Sequence, residues 1–305
     1  MKKILFIIAI PFLLSNCNGK DSTIDPIAIE QPEPNFGEPR FTGLVQTFTV
    51  LEQAEAMPDT FTVNNNLPNA FDLSPNMPPV LNQGEQKSAV AFATTYYLKS
   101  FQEKIQNHYE YLSNTEVMSP SFIYNQTKTN DNCNQGISIE DALYNLKHTG
   151  TTTWEEFPYS ADNCTNEPTA EQLELANINK IESYHNVRDN SLTESTINIV
   201  KSLLTQNTPI IMGIKIDVDF KFARPVNDND IYIYNENIPN SNMMQAVLIV
   251  GYDDDLNAFK FVNSWGTDWA NDGYGYINYT FFIDDDTNPN YQGGLLSLHV
   301  AYDAL

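Results

Sequence analysis

The sequence predicts an α+β protein, because its helical patterns fall mostly in the first half of the chain and its β-type runs in the second. Two compositional facts bound that reading. Over 305 residues, hydrophobic side chains make up 41% and aromatics 12%, richer in aromatics than a disordered chain, so most of the chain folds around a sizeable core. The formal net charge is -23, which repels phosphate backbones and excludes general nucleic-acid binding.

The first segment, MKKILFIIAIPFLLSN, sets two lysines before an apolar run from Ile4 to Leu14. That run is too short to span a bilayer and reads as a signal peptide over residues 1–16. It ends in Leu14-Ser15-Asn16-Cys17, which resembles a bacterial lipoprotein signal, where the cysteine is lipidated and becomes the mature N-terminus. Asn16 departs from the smaller residue usual before that cysteine, and ordinary secretion with an incidental cysteine is the other reading. The resemblance implies a chain anchored by lipid to the bacterial cell envelope, at the outer membrane or cell surface.

Residues 18–40 are polar and punctuated by Pro26, Pro32, Pro34 and Pro39, so they read as an extended tether. Residues 41–66 are ambiguous, with Phe48, Val50 and Leu51 as a candidate edge strand. The division expected is therefore a lipidated N-terminus and linker over 17–66 and a folded domain over 67–305. Four helical patterns follow. Residues 88–110 place Ala91, Leu98, Phe101 and Ile105 on one face, and 139–149 place Ile139, Ala142, Leu143 and Leu146 at i, i+3, i+4 and i+7. Ser138 and Asp141 form a capping box for the second, and Gly150 stops it. Shorter patterns cover 170–177 and 193–205. After Pro209 come the β-type runs Ile210–Ile216, Ala246–Tyr252, Phe259–Asn263, Tyr274–Tyr279 and Leu295–Ala301, with turn residues between them.

The cysteines are Cys17, Cys133 and Cys164. If Cys17 carries lipid, Cys133 and Cys164 remain as an exported pair suited to a disulfide. The acidic triplets Asp253–Asp255 and Asp284–Asp286 lack the glycine and distal glutamate of an EF-hand. They read as solvated turns, as does Asn227-Asp228-Asn229-Asp230, and neither a metal nor a cofactor is expected.

The most specific strings are Ala246-Val-Leu-Ile-Val-Gly-Tyr252, then Phe261-Val-Asn-Ser-Trp-Gly-Thr-Asp-Trp269, then Gly273-Tyr-Gly-Tyr-Ile277. Earlier come Pro78-Pro-Val-Leu-Asn-Gln-Gly84, Ser88-Ala-Val-Ala-Phe92, Cys133-Asn-Gln-Gly136 and Pro158-Tyr159. In this order they resemble the papain-like cysteine peptidases, especially their bacterial branch, over roughly residues 67–301. The resemblance implies a two-lobed fold, with a helical lobe over about 77–180 and an antiparallel, barrel-like β lobe over about 181–305. The active cleft lies between them. It also implies the chemistry: a thiolate nucleophile, a histidine base, an Asn that orients the histidine, and donors for the oxyanion.

The chain keeps only part of that set. Ala89 stands at the nucleophile position and Gln245 at the base position. An alanine has no nucleophile, and a neutral amide does not shuttle a proton near pH 7. Asn263 matches the orienting residue, Trp265 its shield, Gln83 the side-chain oxyanion donor, and Gly136 the backbone that pairs with an extended peptide. Beside Ala89, Gln86 replaces a second cysteine and Lys87 a small glycine. Ser88, about 100° round the helix from Ala89, is expected to face away from the cleft. The four histidines, His108, His148, His185 and His299, match no family motif. Losing nucleophile or base alone costs on the order of 10⁶ in kcat in a comparable hydrolase triad. Three functions compete: a lipid-anchored, inactive homologue binding a peptide or protein in the old cleft; an active peptidase with atypical residues; and an envelope adaptor using the outer surface of the fold.

Overall fold

The computed structural model describes residues 40–304 apart from 47–49, 59, 65, 188–191, 225–229, 236–240 and 284–293. Cys17, the signal segment, Phe48, Asn227, Asp228, Asn229 and Asp284–Asp286 lie outside the described residues.

Helix α1 starts directly after Ser88. It opens as an α-turn at Ala89–Ala91, widens to a π-helix at Phe92–Lys99 and closes as an α-helix at Ser100–Asn107. It runs through the middle of the core, and Phe92, Tyr96, Tyr97, Leu98 and Phe101 are all buried. The expected end at 110 is too late: His108 turns left-handed (φ 54°) and donates its N–H to the Lys104 carbonyl, closing the last turn. Helix α2, Pro120–Thr127, has no counterpart among the expected elements; Ser119 caps it by accepting the Phe122 N–H at 3.2 Å. Helix α3 is Ile139–His148, and its buried residues are the four expected from the spacing. Its capping box is half made. Ser138 Oγ accepts the Asp141 N–H at 3.0 Å, but the Asp141 carboxylate takes the Leu51 N–H instead, at 2.9 Å. Helices α4 (Ala170–Ala176), α5 (Glu194–Thr205) and α6 (Val218–Lys221) complete the set among the described residues.

The strands are β1 (Glu55–Ala56), β2 (Ala70–Asp72), β3 (Ile181–Asn186), β4 (Ile210–Ile216), β5 (Ile233–Tyr234), β6 (Met243–Asp253), β7 (Ala258–Val262), β8 (Tyr274–Asn278) and β9 (Leu295–Asp303). They form one sheet in the order β1-β3-β9-β4-β6-β7-β8-β5, with β2 also paired to β6. The sheet is mixed rather than purely antiparallel, because the outer pairs β1–β3 and β5–β8 run parallel. Of the candidate strand's described residues, Val50 is irregular and Leu51 is a bend, while an edge strand lies at Glu55–Ala56. Packed structure includes residues upstream of the Leu67 boundary, since Leu44 is buried. The Asp253–Asp255 turn is anchored as well as solvated: Asp254 pairs with Lys201 at 2.5 Å and accepts from the Tyr279 hydroxyl at 2.8 Å.

Cys133 and Cys164 form a disulfide, 31 residues apart in sequence with Cα atoms 5.6 Å apart. In the chain-entropy model, a loop of this size stabilises by roughly 3–4 kcal/mol. The Cys133→Ser/Cys164→Ser protein is therefore expected to lose about 3 kcal/mol, read as a lower urea midpoint at unchanged slope. An unchanged midpoint rejects the account.

Candidate active site

The site is assembled where the N-terminus of α1 meets β6 and the turn after β7. The segment Leu81–Gln83 ties the two together: Gln83 N–H donates to the Ser264 carbonyl at 2.9 Å, and Gly266 N–H to the Leu81 carbonyl at 3.1 Å. From inside, the Tyr97 hydroxyl donates to the Asn263 carbonyl at 3.0 Å. The positions of Ala89, Asn263 and Trp265 are thus fixed through one buried frame.

Ala89 is the first residue of α1 and is fully buried. Ser88 points elsewhere, its hydroxyl 2.8 Å from the Tyr159 hydroxyl, which donates to the Gln83 carbonyl at 2.7 Å. Burial pushes the Tyr159 phenol up, and that of Tyr97 likewise, so neither supplies a base near neutral pH. Gln245, on β6, donates from Nε2 to Asn263 Oδ1 at 2.8 Å, the amide–amide contact expected when no imidazole is present. Asn263 Oδ1 also accepts the Ser264 N–H at 2.8 Å. Gln245 Oε1 and Asn263 Nδ2 are buried without a protein partner among the described residues. The pair is a neutral, singly bonded contact with no proton to exchange.

Gln83 is placed differently from expectation. Instead of projecting into an open cleft, it is fully buried, donating from Nε2 to the Gln86 carbonyl at 2.7 Å and accepting the Ser264 hydroxyl at 2.6 Å. Gln86, where the second loop cysteine is absent, is also buried and donates to the Ser160 carbonyl at 3.0 Å. The loop has turned inward and spends the Gln83 amide on itself.

The residues that sequence reasoning missed are Phe41–Val45, which lie in the cleft. Leu44 bridges Ile137 in parallel: Ile137 N–H donates to the Gly43 carbonyl at 3.0 Å, and Val45 N–H to the Ile137 carbonyl at 3.1 Å. Trp265 Nε1 donates to the Phe41 carbonyl at 2.8 Å. The approach is close enough to demand glycine twice. A Cβ on Gly43 would lie 2.5 Å from the Ala89 nitrogen and 2.6 Å from the Lys87 oxygen, and one on Gly136 would lie 2.7 Å from the Gly43 oxygen. Gly136–Ile137 thus presents a backbone edge that is occupied by the chain's own Gly43–Val45, while the Leu44 side chain packs beside Gly213 of β4.

The next stretch straps this segment to α3. Ala54 N–H donates to Glu140 Oε1 at 3.3 Å, and Glu52 pairs with Lys147 at 2.6 Å and His148 at 3.1 Å. Hydrogen bonds from Lys147 and His148 hold the Glu52 carboxyl below its ordinary 4.5, and one from His299 does the same for Glu140. Groups with depressed folded pKa values contribute stability that is present above 4.5 and lost as the pH falls below it. Hydrogen exchange over residues 50–56 is therefore expected to quicken on moving from neutral pH to below 4.5, after correction for intrinsic rates. Equal protection at both pH values rejects the strap as acid-sensitive.

With this geometry in view, the relatives are informative. A profile of the family described as papain family cysteine protease matches residues 67–282. Viral cathepsin of Autographa californica nuclear polyhedrosis virus is 28% identical over 201 residues, 64% of this chain and 54% of that protein. Cysteine proteinase 1 of Dictyostelium discoideum is 24% identical over 245 residues, 74% of this chain and 65% of that protein. The chain thus aligns with a little over half to two thirds of the length of these relatives. Among solved structures, xylellain, a cysteine protease from Xylella fastidiosa, superposes with TM-score 0.67 at 21% identity, covering 89% of this chain and all of that one. Digestive procathepsin L2 proteinase of Tenebrio molitor gives TM-score 0.64 at 19% identity, over 86% of this chain and 78% of that one. The chain belongs to the papain family of cysteine proteases and has its two-lobed α+β fold.

Proposed function

We propose that this chain is a catalytically inactive papain-family protein, exported and held at the cell envelope by lipid on Cys17, that captures an extended peptide or protein segment in its former active cleft. The observation that carries the reading is the pairing of Ala89 with an amide–amide contact: the nucleophile position holds a methyl group, and Gln245 donates to Asn263 where a base would stand. No ionisable side chain takes part in that contact, so acyl transfer lacks both its nucleophile and its proton carrier. What the cleft retains is an edge for strand pairing, Gly136–Ile137, and Trp265 with its indole N–H. Both are engaged by Phe41–Val45, so an outside ligand gains access by displacing that segment.

The closed cleft also favours a second reading, an adaptor working through the exterior of the fold, for which cleft residues are irrelevant. Incubation with a broad peptide library, with turnover read by mass spectrometry, tests inactivity; hydrolysis that survives Ser88→Ala overturns it. Gly136→Trp separates cleft binding from the adaptor reading, since only the first loses its ligand. A form with Cys17→Ser that stays in the membrane fraction rejects the lipid anchor.

A further inference from the structure

Helix α1, the turn Asn207–Pro209 and strand β9 line an open pocket of about 260 Å³ that shares no residue with the cleft. Its body is apolar, formed by Phe101, Ile105, Pro209 and Ala301, while Gln102 and Asp303 lie in its wall. The charges beside it do not balance. Lys99, only 1% exposed, donates to Glu103 Oε1 at 2.5 Å and to Asp303 Oδ1. Glu103 is satisfied, because its other oxygen takes Asn107 Nδ2 at 3.0 Å. Asp303 Oδ2 is buried and has no partner among the described residues. Gln102 has a fixed orientation, since Nε2 donates to the Ala301 carbonyl at 2.8 Å, and this leaves Oε1 as a second buried acceptor without a partner. Two carboxylates share one ammonium, and the two buried atoms without a partner beside the pocket, Asp303 Oδ2 and Gln102 Oε1, are both acceptors.

We propose that this cavity binds a small amphipathic primary ammonium. A ring or short alkyl chain covers the Phe101, Ile105 and Pro209 surface, and the ammonium donates to Asp303 and Gln102, supplying the missing positive charge. The terminal torsion of an aspartate is broad, so a modest rotation presents Oδ2 to the cavity. The volume lies below the roughly 300–1,000 Å³ of drug-sized sites, which limits the body to about one ring. A carboxylate in the same place meets like charge, and a neutral alcohol leaves the excess charge uncompensated.

Isothermal titration of the full chain with phenethylamine, 2-phenylethanol and phenylacetate tests this. Phenethylamine is expected to saturate with a Kd of about 0.1–1 mM, at least about tenfold tighter than 2-phenylethanol, with no binding of phenylacetate. Asp303→Asn, checked for native circular dichroism, is expected to weaken phenethylamine at least about tenfold. Because that change also removes a charge from Lys99, Thr208→Trp serves as a second variant. It narrows the cavity with every charge in place and is likewise expected to abolish binding. Phenethylamine binding no tighter than 2-phenylethanol, absence of saturation by about 10 mM, or full binding by Thr208→Trp overturns the proposal.

Discussion

A chain carrying Ala89→Cys and Gln245→His together is expected to hydrolyse unstructured peptides where the unmodified chain does not, and to do so faster once Gly43→Val is added. The first half of this expectation rests on what remains in the frame. Asn263 stays beside residue 245, its position held by Tyr97 and Ser264, so a histidine there finds an amide oxygen to orient its ring. A cysteine at the start of α1 gains from the helix N-terminus, which favours the thiolate. Either change alone restores only half of a unit whose members act together, and each missing member costs on the order of 10⁶ in kcat in a comparable triad. The second half rests on the cleft. A valine at 43 collides with the Ala89 nitrogen and the Lys87 oxygen, so Phe41–Val45 lifts and the new thiol is uncovered. Recovery is expected to stay about 10²–10³-fold short of a complete site, because Gln83 spends its amide on Gln86 instead of on an oxyanion. Fluorogenic peptide turnover and labelling by a thiol-directed epoxide are the readouts. Labelling of Ala89→Cys/Gln245→His that does not rise with Gly43→Val shows that the segment does not shield the site.

Ala89, Gln245 and Asn263 were legible because each sits inside an ordered string, and Gln245 does contact Asn263. The strand runs after Pro209 were legible because buried strands there are nearly continuous apolar runs; Ile210–Ile216 has the bounds its sequence suggests. Helix Pro120–Thr127 escaped because eight residues carry too little periodicity, although Ser119 followed by Pro120 is a readable start. The π-helical stretch of α1 was not readable, since the 3.6-residue spacing does not apply to it. The cleft segment escaped for another reason. Phe41-Thr-Gly-Leu-Val45 follows a proline-rich tether and has little pattern of its own, and its structure comes from pairing with Ile137, far along the chain. Gln83 was misjudged because its role was taken from a resemblance, while its actual partner, the Gln86 carbonyl, depends on a loop in which this chain departs from the family pattern. Contacts along the frame thus follow from residue types in ordered strings, and long-range backbone pairing decides what fills the space between.

The largest loss of stability from a single change is expected for Trp269→Ala. Trp269 is fully buried, and its ring lies 5.1 Å from that of Phe220, 5.7 Å from Trp265, 5.8 Å from Phe261 and 6.1 Å from Tyr232. Its Nε1 donates to the Phe220 carbonyl at 2.8 Å. Strand β8 makes room for it with Gly275, where a Cβ would stand 2.9 Å from the Trp269 ring. Removing the indole opens a cavity that four rings on separate elements cannot close together, and it takes one of the hydrogen bonds to the Phe220 carbonyl, which keeps the Ala223 N–H at 3.3 Å. Large-to-small changes of this kind cost about 3–5 kcal/mol. The effect reaches the site, because Trp265 packs against Trp269 and holds Phe41 through its own indole N–H. Urea titration of Trp269→Ala, alongside hydrogen exchange at residues 41–45, reads both consequences. A loss below about 1 kcal/mol rejects the packing argument, and a destabilised domain with unchanged protection at 41–45 separates the aromatic cluster from the closure of the cleft.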